Sequence, residues 1–241
     1  TKLYLAKENA PNSLVSYYSK GALLVMALDL KLRSLSANSV NLHQLTQLLW
    51  REYGLTRKGL AEGEIEQLAA GLLAAAPSSK PRAQQELLDF MQRYLHGTED
   101  LPLEELLAEV GIHFSLRGAI SQQDLGGALP AKASQQVYIN LGANLAADNQ
   151  GLLEIKQVYA ASPAYLAGLS AGDELLALDN QKITSQQQLD SLLTTKKLGE
   201  RLTCHYFRAG QLHTSQLHLT PPPKDRVTLT PAENRNHAWP R

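Results

Sequence analysis

The sequence predicts an α+β protein of two domains, an all-α helical domain first and a strand-rich one after it. Three observations carry that reading. Up to Gly111, apolar residues recur at three- and four-residue spacing, as along helices packed on one face. Beyond it, short alternating runs bounded by Gly and Pro take over. Between the two lies SLRGAISQQDLGGALPAKAS, rich in Gly, Ser and Ala, which reads as linker or loop. The expected domains are 1–112 and 136–223, with a connecting segment 113–135 and a polar tail 224–241.

The helical half is justified element by element. SYYSKGALLVMALDLKLR (16–33) is uncharged and apolar from Gly21 to Leu28, so the helix is expected to be buried on every side. Asp29 and Arg33, four apart, give its emerging end a surface ion pair. Tyr17, Tyr18 and Lys20 at its entrance either cap and pack or face a site. NLHQLTQLLWREYG (41–54) has Asn41 as N-cap and Gly54 as stop. EGEIEQLAAGLLAAA (62–76) begins acidic and ends before Pro77. PRAQQELLDFMQRYLHG (81–97) has Pro81 at or near the first helical position and Gly97 as C-cap, and LPLEELLAEVG (101–111) closes the series.

The bulk composition narrows the function classes. The chain has 241 residues, 44% of them hydrophobic, enough for a sizeable core. Lys+Arg and Asp+Glu number 23 each, which argues against nucleic acid and against a charged disordered tail. The longest apolar run falls far short of the ~20 residues of a membrane span. Cys204 stands alone, so an internal disulfide and a Cys-rich zinc site are excluded. The expected compartment is the cytoplasm, with the periplasm as alternative. A start at Thr1, with neither Met nor a leader-like segment, reads as a cut.

In the second half, strands are expected at 113–116, 136–143, 152–159, 174–179, 201–208 and 211–219, with short helices at 162–168 and 185–197. The densest motif is SPAYLAGLSAGDELLALDN (162–180). Ser162 caps a short helix, Pro163 suits its first turn, Gly168 ends it, and Gly172-Asp173 turns into a strand. This motif, with the helix around Leu189–Leu193 and the Gly199 turn, resembles the PDZ domain in its bacterial, circularly permuted form. The resemblance implies a small, partly open β-barrel with two helices. It also implies peptide binding by strand addition, with an amide-lined loop for a terminal carboxylate. The residues matching that loop and groove strand are Leu141, Gly142, Ala143, Asn144 and Leu145, faced by Gln188 and Leu192 of the later helix. The implied partners are peptide or protein C-termini, or the chain's own polypeptide. The alternative for Gly142 is that it only makes a bulge.

No enzyme signature stands in the residues themselves. None of the seven histidines forms H-E-x-x-H, and there is no G-x-S-x-G elbow, P-loop or dinucleotide turn. Cys204 and His205 are strand neighbours that point apart, so they make no dyad. Yet Y-Y-S-K-G-A-L-L-V followed by L-D-L-K-L-R resembles the glycyl-aminopeptidase family of zinc peptidases, relatives of aminopeptidase N. There a catalytic domain precedes a PDZ domain, and FMQRYLHGTEDLPLEELLAEVGI and the SPA-x-x-AGL-x-x-GD motif follow in the family order. The resemblance implies that Tyr18, the Tyr before x-K-G, donates its hydroxyl to a developing oxyanion. It implies zinc in the parent protein, with the zinc helix upstream of Thr1. This chain is expected to hold no metal and no cofactor and to be inactive alone. The alternative is a non-enzymatic helical adaptor carrying a peptide-binding PDZ module.

Overall fold

A computed structural model describes residues 12, 16–129, 138–147 and 152–232. They fall into two units, 16–115 with 229–232, and 12 with 116–228.

The first unit is helical. Helix α1 (Tyr17–Leu35) starts at Ser16, whose hydroxyl accepts from the Ser19 amide. Its second half is buried through Ala27, Leu28, Leu30, Leu32 and Leu35. The expected burial on every side fails for the first half, where Ala22, Leu23 and Val25 are exposed. In that half Leu24 and Met26 alone are packed, partly buried, against the unit's core. Asp29 does more than form a surface pair. One oxygen accepts from Arg33 Nε at 2.8 Å and the other from the Leu42 amide at 2.7 Å, one of the unpaired donors at the start of the next helix. That helix, α2 (Leu42–Leu49), begins in a reciprocal Asn41–Gln44 capping box and continues as a π-helical turn, Trp50–Gly54.

Next come α3 (Glu64–Ala75), α4 (Ala83–Met91) with a π-helical turn at Gln92–His96, and α5 (Leu103–Glu109). Pro81 lies outside α4, whose N-cap is Arg82. Leu32, Leu35, Leu45, Leu73 and Leu87 form the centre of this unit's core.

The second unit is built on an antiparallel sheet of order β2-β3-β4-β6-β7, with β5 added to β4. The strands are β2 (Ala143–Ala147), β3 (Leu153–Val158), β4 (Glu174–Leu178), β5 (Gln181–Lys182), β6 (Arg201–Arg208) and β7 (Gln211–His218). Helix α6 (Pro163–Leu166) joins β3 to β4, and α7 (Gln186–Thr194) joins β5 to β6. Ile155, Leu178, Leu189, Leu202 and Leu217 fill the core. The turn before β4 is pinned by Asp173, 1% exposed, which takes Arg208 Nε and Nη2 at 2.7 Å each. Cys204 is fully buried, and burial foremost, then Asp173, pushes its thiol up to about 12.

Three expectations change. Of the strand expected over 136–143, residues 136–137 lie outside the described residues, 138–142 form a loop, and the strand starts at Ala143. The polar tail contains β8 (Arg226–Pro231), which pairs with β1 (Ile112–Arg117) in a two-stranded ribbon. Residues 116–129 belong to the second unit rather than to a separate connector, and both unit boundaries fall inside the ribbon. Trp239 lies outside the described residues. No helix among them is long and apolar enough to cross a membrane.

Candidate functional site

The second unit carries a cavity of ≈ 660 Å³ lined by strand β2, at the edge of the sheet among the described residues, and by helix α7. Local chemistry opens it. Ser162 caps α6 by accepting from the Tyr165 amide at 3.2 Å, and its hydroxyl donates to the Gly142 carbonyl at 3.1 Å. The same carbonyl accepts from the Tyr159 amide at 2.9 Å, and the Leu141 carbonyl accepts from Ala164 at 2.9 Å. Both loop carbonyls are thus taken up by the protein's own donors. Asn140 Oδ1 accepts from the Gly142 amide at 2.8 Å and holds this turn. Gly142 has φ +68°, and a Cβ there would sit 2.1 Å from Ser162 Cβ. Only glycine fits, for conformation and for space.

Leu141, Gly142, Ala143, Asn144 and Leu145 all line the cavity. The bulge allowed for Gly142 falls between Asn144 and Leu145 instead. From α7 the cavity is lined by Gln186, Leu189, Asp190 and Leu193, spaced so that they share one helix face. Gln188 and Leu192, named from the sequence, are not on it. They border a separate shallow depression with Gln181 and Lys182, and Gln188 Oε1 accepts from the Thr184 amide at 2.9 Å. The apolar positions Leu189, Leu192 and Leu193 span both faces, so their pattern could not say which one meets β2. The i, i+3, i+4, i+7 set beginning at Gln186 was the available signal.

The family model described as PDZ domain matches residues 139–219, the loop, groove strand and helix just described. This part of the chain is a PDZ domain. Over its whole length the chain is similar to an aminopeptidase N family protein from Idiomarina loihiensis, at 34% identity and TM-score 0.78. The chain spans 39% of that relative. A Neisseria meningitidis protein provisionally named a zinc metalloprotease is 45% identical over 56 residues, 23% of this chain and 12% of that protein. The chain is therefore a peptidase-related polypeptide that carries a PDZ domain.

In the helical unit, Tyr18 stands on the first turn of α1 and is 74% exposed; Tyr17 is 57% exposed. Their ring centroids are 4.1 Å apart. Hydrogen bonding with Tyr18 foremost, and some desolvation, raise the Tyr17 phenol above its ordinary value. Nothing lies within 4 Å of a Cβ built at Gly21. No cluster of three or more His, Cys, Asp or Glu residues placed to hold a metal occurs among the described residues. The donor set of the described residues does not fit zinc.

Proposed function

We propose that this chain is part of a zinc-dependent aminopeptidase acting on peptides with small N-terminal residues, and that its PDZ domain binds peptide C-termini by strand addition. The observation that carries the reading is the likeness to an aminopeptidase N family protein, which runs through the helical unit and the PDZ domain without a break. The metal ligands and the general base belong, on this reading, to the remainder of the longer protein. Tyr18 is the contribution of this chain. Its exposed phenol, at the start of α1, donates a hydrogen bond to the oxyanion of the substrate carbonyl. The exposed apolar residues Leu23 and Val25 on the same half of α1 support a packing role for that half in the longer protein.

The test is the Tyr18→Phe variant of the longer protein, assayed on Gly- and Ala-anilides. The substitution removes one hydroxyl and little volume, so the loss falls on the transition state rather than on substrate binding. The expected outcome is a fall in kcat on the order of 10²–10³ with KM little changed, as for one oxyanion donor. A Tyr18→Phe enzyme with normal kcat removes the catalytic role. A longer protein that hydrolyses neither anilide leaves the helical-adaptor reading in its place.

A further inference from the structure

The PDZ domain does not close its own groove. Ala119, Ser121 and Gln122, ahead of the domain, and Pro222, Asp225 and Arg226, behind it, also line the cavity. These flanking segments are held as a collar by one carboxylate. Asp124 accepts from Arg117 Nη1 at 2.5 Å and Nη2 at 3.1 Å, and from the amides of Ile120 and Gly126 at 2.9 Å each. Its main-chain carbonyl accepts from Arg226 Nε at 2.6 Å. The Gly127 amide donates to the Val227 carbonyl at 2.7 Å. At Gly126, φ is +93° and a Cβ would meet that carbonyl oxygen at 2.8 Å, so the loop can lie this close to β8 only as glycine.

Arg226 is thereby fixed at Nε while it lines the cavity. It is the one cation among the described residues that line the cavity. Its present partner there is Asp225, at 2.8 Å from Nη1 and 49% exposed, free to turn to water when a competing anion arrives. The amide loop has a deficit that such a cation answers. Asn140 already occupies the Gly142 amide, while a carboxylate offers about four acceptor sites. A guanidinium supplies paired donors in the geometry a carboxylate fits. Tyr138, Asp190 and Arg226 all line the cavity.

We propose that Arg226, outside the PDZ domain, is the anchoring cation for the carboxylate of a peptide C-terminus in the groove, so that the collar is part of the ligand site. The proposal rests on the reading of the groove as a peptide site. It makes Arg226 a specificity residue that separates free C-termini from internal or amidated segments.

The probes are a fluorescent hexapeptide ending in leucine, as free acid and as C-terminal amide, titrated onto the whole chain by anisotropy. The acid is expected to bind more tightly than the amide. Arg226→Gln should weaken the acid by about tenfold and leave the amide nearly unchanged, as for loss of one hydrogen bond to a charged group. Arg226→Lys should keep part of the preference. Asp225→Asn removes the competing anion while keeping every bond of Asp124 and should tighten the acid alone. An acid-to-amide ratio that neither Arg226→Gln nor Asp225→Asn alters, or equal binding of the two peptides by the unmodified chain, overturns the role of Arg226 while leaving the groove. Amide NMR signals of 143–147 and 186–194 that move with neither peptide remove the groove reading, and the Arg226 role with it.

Discussion

Gly142 carries two constraints at once, a left-handed φ and a space filled by Ser162. Replacing it with Ala is therefore expected to cost at least about 2 kcal/mol of stability, more than left-handed strain alone. The loop can relax only by moving away from Ser162, which breaks the bonds to the Gly142 carbonyl. Thermal melts should show the loss, and peptide-induced shifts at 143–147 should vanish even where the fold survives. A Gly142→Ala chain with unchanged melting and unchanged shifts would contradict this account of the loop. Asp173 illustrates the opposite kind of residue. It is buried and bidentate to Arg208, and it accepts from the Ser170 amide at 2.8 Å, all in the service of the turn into β4.

At the scale of elements, the loop 117–127 depends on the charge of Asp124. The Arg117 guanidinium foremost, then the Ile120 and Gly126 amides, holds this carboxyl well below its ordinary 3.8. A depressed carboxyl pKa contributes stability that is complete above the unfolded value and is lost as pH falls through the folded one. The collar should therefore hold its native amide dispersion from neutral pH down through 3.8 and lose it only in stronger acid. Asp124→Asn should remove that dispersion at neutral pH, where acid cannot be the cause. NMR spectra recorded across an acid titration distinguish the two. Collar signals of the unmodified chain that collapse between pH 5 and 4 would show that the Arg117 pairing does not hold the loop. Helix α1 shows a different dependence, since its second half is packed and its first half bears Tyr17, Tyr18, Leu23 and Val25 in the open.

At the scale of the whole molecule, the chain holds a PDZ domain with an accessible groove and a helical unit without a metal-ligand cluster among its described residues. The isolated chain is accordingly expected to bind no stoichiometric zinc and to hydrolyse no Gly- or Ala-anilide. Equilibrium dialysis against zinc and a long anilide incubation check this. Measurable turnover that survives repeated purification would move the catalytic groups into this chain.

Local chemistry was legible in the sequence. Ser162, Pro163, Gly168 and Gly172-Asp173 specify the α6 turn within a dozen residues, and the Asn41–Gln44 box fixes the start of α2 in the same way. Neighbours along the chain are neighbours in space there, so residue type alone carries the geometry. The loop residues Leu141, Gly142 and Ala143 were named through the PDZ resemblance, and the strand expected over 136–143 begins only at Ala143. What the tertiary structure decided were pairings between distant residues: Asp173 with Arg208, β1 with β8, Arg226 on the carbonyl of Asp124. It also decided which face of α7 meets β2, since Leu189, Leu192 and Leu193 leave two faces apolar. And it decided that Ala22, Leu23 and Val25 of α1 are exposed, because an apolar sequence reports what a helix would bury, whereas only its neighbours determine what it does bury.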